Sequence, residues 1–409
     1  MMSNASSFLG ISTNTIRAPI HYPVLQKLLS IFSNGFHYQR NRLRFSSSYH
    51  SLQRSQSHGL TICDPISSKP RNKFLLQTHH QCSRSETIDS VPKEIDTELL
   101  PFLRIYKDGS VERLMGSPYV PPTLDDPDSG VSSKDITISQ NPLISARLFL
   151  PKLNEPHKKI PILVYYHGGA FCVESAFSFD HHRFLNSLVS QAKVVAVSVE
   201  YRMAPEHSLP IAYDDSWAAL NWVALHFADN GITEEPWLIN HGDPNRLFLG
   251  GDSAGANIAH NVAMRVGKEG LPNGINLLGV FLTHPFFWGS KPIEGDACEE
   301  PEKDLACLVW DMAYPSAPGG IDNPVINPVA PEAPSLAGLG CSRVLVSVSE
   351  NDELRHRGLG YYEAVKRSGF EGEAELVEVE GEDHAFHILK FETRKAKELT
   401  KKLADFLLK

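Results

Sequence analysis

Gly251-Asp252-Ser253-Ala254-Gly255 follows the apolar run Arg246-Leu247-Phe248-Leu249-Gly250 and opens a helix-like stretch, Ala254–Val266. A serine with glycine two residues to either side, between a short strand and a helix, constrains the fold more than any other segment. A sharp strand-to-helix turn holds the serine in strained backbone angles, and a side chain two positions away would strike neighbouring backbone. The turn lifts the hydroxyl clear of the sheet. It also sets Ser253 at the positive end of a helix, where unbonded N–H groups favour negative charge. G-x-S-x-G arises by chance fairly often; its place between strand and helix is what makes Ser253 a candidate nucleophile.

Upstream, Ile162-Leu163-Val164-Tyr165-Tyr166 reads as a buried strand ending in His167-Gly168-Gly169-Ala170-Phe171. Two glycines after a strand are compatible with a plain tight turn. With a serine turn 86 residues later, they read instead as a loop whose backbone N–H groups approach a substrate oxygen. Gly168, Gly169 and Ala254 are the expected oxyanion donors, the glycines being required so that no side chain hinders the approach. His167, Gly251, Asp252 and Gly255 support the two motifs.

A hydroxyl without a base is a poor nucleophile, so a carboxylate and an imidazole are needed, and in folds that carry serine on such a strand-to-helix turn they follow it in that order. Val344-Leu345-Val346-Ser347-Val348 reads as a strand, followed by Glu350-Asn351-Asp352-Glu353, and Asp352 is the chosen acid. Asp383-His384 follows the next strand, Leu376-Val377-Glu378-Val379, and His384 is the chosen base among 18 histidines. Glu350, Glu353 and Asp383 compete with Asp352. His387 competes with His384 and is placed on the first turn of the final helix.

These motifs, with Tyr201-Arg202-Met203-Ala204-Pro205-Glu206-His207 and Tyr213-Asp214-Asp215 between them, resemble the plant carboxylesterases of the hormone-sensitive-lipase-like branch of α/β-hydrolases. The resemblance runs from about Leu100 to the C-terminus. It implies Ser253 as nucleophile, His384 as general base, Asp352 as the orienting acid, and no cofactor or metal. The substrate implied is a small acylated metabolite rather than a triglyceride. Ala170 departs from the pattern, since many relatives have a third glycine there; a methyl narrows the acyl pocket and leaves the backbone donors in place. Relatives on this frame also include dehydratases, cyclases and lactone-forming enzymes. Ser253 in place of threonine leans away from hydroxyisoflavanone-dehydratase-like chemistry without excluding transesterification. A gibberellin-receptor-like binding role is disfavoured because His384 is present, and an amidase would share the same three residues.

Strands read at Ile144–Leu150, Ile162–Tyr166, Val194–Val199, Arg246–Leu249, Leu277–Leu282, Val344–Val348 and Glu375–Val379 alternate with helical patterns at Tyr213–Phe227, Ala254–Val266, Leu359–Ser368 and Thr393–Leu408. Alternation of this kind predicts a mostly parallel, twisted α/β sheet covered by helices on both faces. Two segments, about 95–122 with a hairpin at Leu103–Leu114, and the strandless insert 285–334, are expected to form a cap or lid. Phe287, Trp288, Trp310 and Tyr314 of the insert either line a pocket or make its own small core.

Charge divides the chain of 409 residues unevenly. Residues 1–85 hold ten Lys or Arg, one acid (Asp64) and 16 serines, whereas the remainder carries −18 of the overall −9 balance. An Arg- and Ser-rich, acid-poor start reads as a plastid or mitochondrial transit peptide over residues 1–88, preceding a hydrolase domain at 89–409. A disordered basic tail on a cytoplasmic enzyme is the alternative. The tail lacks the aromatic or structured partners that nucleic-acid binding needs. No apolar run reaches the ~18–20 residues of a membrane span, and six scattered cysteines suggest neither a disulfide framework nor a zinc site. A monomer or homodimer is expected.

Overall fold

The computed structural model describes residues 93–155, 158–228, 234–293 and 304–409. The expected presequence, 1–88, and the middle of the insert, 294–303, lie outside them. The described chain starts with a small antiparallel sheet of β1 (Ile95–Leu99), β2 (Leu103–Tyr106) and β3 (Val111–Arg113). The expected hairpin is thus present with one more strand. Its turn closes through Gly109 at φ 81° and the Asp108 carboxylate, which accepts from the Ser110 N–H at 2.9 Å.

The main body alternates strands and helices. It runs through β4 (Val131–Gln140), β5 (Leu143–Pro151), β6 (Ile160–Tyr166), α1 (Phe179–Ala192) and β7 (Val195–Glu200). Next come α2 (Ile211–Leu225), α3 (Pro236–His241), β8 (Gly242–Asp252), α4 (Ala254–Glu269) and β9 (Leu277–Thr283). The remainder is α5 (Leu305–Ala313), β10 (Cys341–Ser349), α6 (Arg355–Arg367), β11 (Glu373–Val379), α7 (Phe386–Leu389) and α8 (Arg394–Leu408). Eight strands form one sheet in the order β11-β10-β9-β8-β6-β7-β5-β4. It is parallel from β11 to β7 and antiparallel at β5 and β4.

Side-chain alternation along the strands sends two sets of residues to opposite faces. Leu163, Phe248, Phe281 and Leu345 pack with Phe184 and Leu188 of α1 and with Leu399, Leu403 and Phe406 of α8. Ile162, Leu249, Val280 and Val346 pack on the other face with residues of α2, α4 and α6. All seven residues of β6 are buried, which is why this strand reads as a continuous apolar run. β4 is hidden from the sequence pattern because, as an edge strand, it is half exposed and rich in Ser, Lys and Asp. α1 is likewise unannounced, its first turn carrying Asp180, His181 and His182 rather than an apolar stripe.

The described part of the insert contains α5 and no strand. Its aromatic residues do not follow either expectation as a group. Phe287 packs on Tyr361 at 4.8 Å and Trp288 lies under Arg357, so both belong to the main core. Trp310 stacks edge-on with Tyr314 at 5.5 Å and reaches Phe171 at 6.4 Å. His387 sits on α7, a separate turn before the final helix, because Lys390–Thr393 interrupts the two.

Candidate active site

The parallel strands end on one edge of the sheet, and that is where the motif residues collect, as expected for open α/β sheets. Ser253 leaves β8 at φ 53° and ψ −118° and caps α4. That is a strained conformation for a residue with a side chain. The flanking glycines are required on steric grounds. A Cβ on Gly251 would stand 2.3 Å from the Gly255 carbonyl oxygen, and one on Gly255 would stand 2.0 Å from that of Tyr166. The Ser253 N–H donates to the Thr283 carbonyl at 2.9 Å, pinning the turn to β9.

Two loops bring the other side chains in. Asp352 follows β10 and uses Oδ1 to accept the Leu354 N–H at 2.9 Å, leaving Oδ2 directed at His384. His384 follows β11, and its Nδ1 lies 2.8 Å from Asp352 Oδ2 while Nε2 lies 2.9 Å from Ser253 Oγ. The carboxylate therefore accepts a hydrogen bond from Nδ1–H and leaves Nε2 as acceptor for the hydroxyl. Burial pulls the His384 imidazole down, but the Asp352 carboxylate, reinforced by Asp252 and Glu353, lifts its pKa above the ordinary value. Burial raises the Asp352 carboxyl, and the His384 imidazole overcomes it, leaving the acid more acidic than usual.

Glu350, Asp383 and His387 have other employment. Glu350 accepts the Gly381 N–H at 2.7 Å and braces the His384 loop, while Asp383 pairs with Lys390 at 2.7 Å. His387 is fully buried against Phe184 and His284, and burial drives its pKa down to about 4.

The glycine loop requires a correction. The Gly168 N–H donates to Asp252 Oδ1 at 2.9 Å, so Gly168 is withdrawn from the expected oxyanion donors. Among the described residues, no hydrogen bond takes the N–H of Gly169, Ala170 or Ala254. The reason for glycine here also differs from the one expected. A Cβ on Gly168 would meet Asp252 Oδ2 at 2.2 Å, and one on Gly169 would meet the Val173 carbonyl oxygen at 2.1 Å. The protein itself, not the substrate, excludes those side chains. The loop is wound tightly, with positive φ at Gly169 (109°), Ala170 (54°), Phe171 (59°) and Glu174 (67°).

The remaining motifs hold this arrangement. His167 stacks on Tyr201 at 4.3 Å, and the Tyr201 hydroxyl donates to the His167 carbonyl at 2.7 Å. Arg202 forms a two-pronged pair with Asp215, and Tyr213 donates to Asn257 on α4 at 2.8 Å. Arg113 of β3 reaches Glu206 and the Cys172 carbonyl, tying the small sheet to the glycine loop. Sequence reasoning missed His181 and Glu174, which flank Asp252 and the glycine loop; with α1 unannounced, only the adjacent pair His181-His182 could have drawn attention to them.

Comparison with known proteins identifies the family. Residues 163–388 match the α/β hydrolase fold family. A 2-hydroxyisoflavanone dehydratase of Glycyrrhiza echinata is 57% identical over 79% of this chain and 99% of its own length. A catharanthine synthase of Catharanthus roseus is 45% identical over 79% and 99%. A probable carboxylesterase of Arabidopsis thaliana is 42% identical over 78% and 98%. Among solved structures, an esterase of Pyrobaculum calidifontis superposes with a TM-score of 0.56 at 27% identity, covering 68% of this chain and 84% of its own. A family match over more than half of the chain, joined to relatives this similar along nearly their whole length, places the protein in the α/β-hydrolase fold family, among plant carboxylesterases and related enzymes.

Proposed function

We propose that the chain is a serine carboxylesterase acting on esters of small metabolites. The observation that carries this reading is the unbroken line from Ser253 Oγ to His384 Nε2 (2.9 Å) and from His384 Nδ1 to Asp352 Oδ2 (2.8 Å). Ser253 attacks the ester carbonyl as His384 takes its proton, and the oxyanion settles against the N–H groups of Gly169, Ala170 and Ala254. His384 then returns the proton to the departing alcohol. In the second half it activates water, which releases the acid from Ser253. Asp352 holds the tautomer and stabilises the imidazolium. The test is covalent labelling by an organophosphate beside turnover of p-nitrophenyl acetate. Ser253→Ala is expected to lose both, and stoichiometric labelling of that variant would sink the assignment.

A second reading follows from the 57% identity to a protein named as a dehydratase. An eliminating enzyme would use His384 to remove a carbon-bound proton and the loop N–H groups to hold an enolate, whose collapse breaks the C–O bond and releases the hydroxyl as water with the proton returned from His384, with no acyl group on Ser253. Turnover in ¹⁸O-labelled water separates the two: hydrolysis puts the label in the carboxylic acid, whereas elimination or lactone formation does not. The three residues retained for acyl transfer support the esterase reading first. The Arg- and Ser-rich start of the chain supports an organellar address, tested by whether residues 1–88 carry a fluorescent protein into plastids or mitochondria.

A further inference from the structure

Asp252 does more than fill the second place of the serine motif. Two donors converge on its Oδ1, the Tyr165 hydroxyl at 2.6 Å and the Gly168 N–H at 2.9 Å, and His181 Nε2 stands 3.4 Å away, within ion-pair range. His181 Nδ1 lies 3.4 Å from Glu174 Oε2 on its other side. Glu174 belongs to the wound glycine loop and accepts the Ser117 N–H at 2.8 Å and the Ser178 hydroxyl at 2.5 Å. A buried line of charge thus runs from the serine turn through α1 to the far end of the glycine loop.

We propose that His181 is a positioning residue, which clamps the glycine loop to the serine turn and cancels the Asp252 charge beside the nascent oxyanion. The inference rests on the acyl-transfer reading above. Its first support is location. His181 occupies the first turn of α1, where the helix dipole disfavours a cation. Burial also disfavours a cation there, yet the Asp252 and Glu174 carboxylates outweigh it and lift the imidazole to about 10. A local rule broken this way marks a residue held for another purpose. The second support is strain. Ala170, Phe171 and Glu174 sit at positive φ, and such a loop keeps its shape only when its surroundings over-determine it. The third is charge. Asp252 directly precedes Ser253, and an uncompensated carboxylate in this dry setting would oppose negative charge on the substrate oxygen. His181 faces Asp252, Glu174, His167 and Tyr165.

The experiment compares His181→Gln with wild type on p-nitrophenyl acetate, expressing rates per organophosphate-titrated site. A purely structural role lowers the titratable fraction and leaves kcat per site unchanged. The proposal expects kcat per site to fall about 10–100-fold, with KM altered less, and affinity for a trifluoromethyl ketone analogue to fall by the same factor. An unchanged kcat per site, or an unchanged analogue affinity, overturns it. Should the glutamine variant not fold, Glu174→Gln keeps one acceptor oxygen, for either the Ser117 N–H or the Ser178 hydroxyl, and removes one carboxylate facing His181. A smaller loss of the same kind is expected there, and wild-type kcat overturns the proposal. Turnover surviving in Ser253→Ala would instead sink the esterase reading, whatever His181 does.

Discussion

The two sides of Ser253 are built by different means. In the proposed reaction the His384 side works through side chains: two loops leave neighbouring parallel strands, and two hydrogen bonds of 2.8 and 2.9 Å join an acid, an imidazole and a hydroxyl. The Gly169 side works through backbone. Three consecutive residues, Gly169, Ala170 and Phe171, hold positive φ, and the preceding Gly168 N–H is bonded to buried Asp252. Function made from side chains tolerates ordinary backbone, whereas function made from N–H groups needs an unusual backbone and a support behind it. The same change in size or charge should therefore act differently on the two sides.

The largest effect is expected on the side-chain half. His384→Gln should reduce kcat for p-nitrophenyl acetate about 10⁵-fold, and Asp352→Asn about 10⁴-fold through loss of the correct tautomer. Activity within tenfold of wild type in His384→Gln would reassign the base. On the backbone half, Gly169→Ala forces its Cβ toward the Val173 carbonyl oxygen, 2.1 Å away in the present geometry. Displacement of the loop should cost about 10²–10³-fold in kcat while Ser253 still titrates with an organophosphate. Equal damage to titration and turnover would mean that the two sides are not separable.

The pH profile tests the comparison without any substitution. The base must be neutral, and its pKa is raised by Asp352, Asp252 and Glu353 against the pull of burial. The ascending limb of kcat/KM should therefore be centred above the ordinary imidazole value of about 6.5; a limb centred below it would contradict the carboxylate network. The smallest effect is expected from Ala170→Gly. Relief of the positive φ, roughly 1 kcal/mol, nearly balances the loss of a buried methyl, about 0.8 kcal/mol. Tm should move by less than about 4 °C, with kcat within threefold. A large loss of activity would show that the methyl itself shapes the acyl site.

Most of the sheet was legible in the sequence because β6, β7, β8, β9 and β10 are apolar runs bounded by turns, and Ser253, Asp352 and His384 are residue types whose chemistry is their own. β4 and α1 were not, since a half-exposed edge strand and a helix opening on Asp-His-His lack a clean period. Losing α1 also lost His181. Gly168 was misassigned for a related reason: the sequence shows that an N–H exists but not what already accepts it, and Asp252 folds back from 84 residues away to do so.

The sequence alone therefore determined which chemical groups are present, their order along the chain and the strand-to-helix turn that exposes Ser253, because these follow from side-chain identity and local sterics. Only the tertiary structure decided which backbone donors remain free and how deeply His387 is sealed in the core. Those outcomes depend on partners brought together from distant segments, and hydrogen-bond capacity already spent inside the fold cannot be read from the residues that spend it.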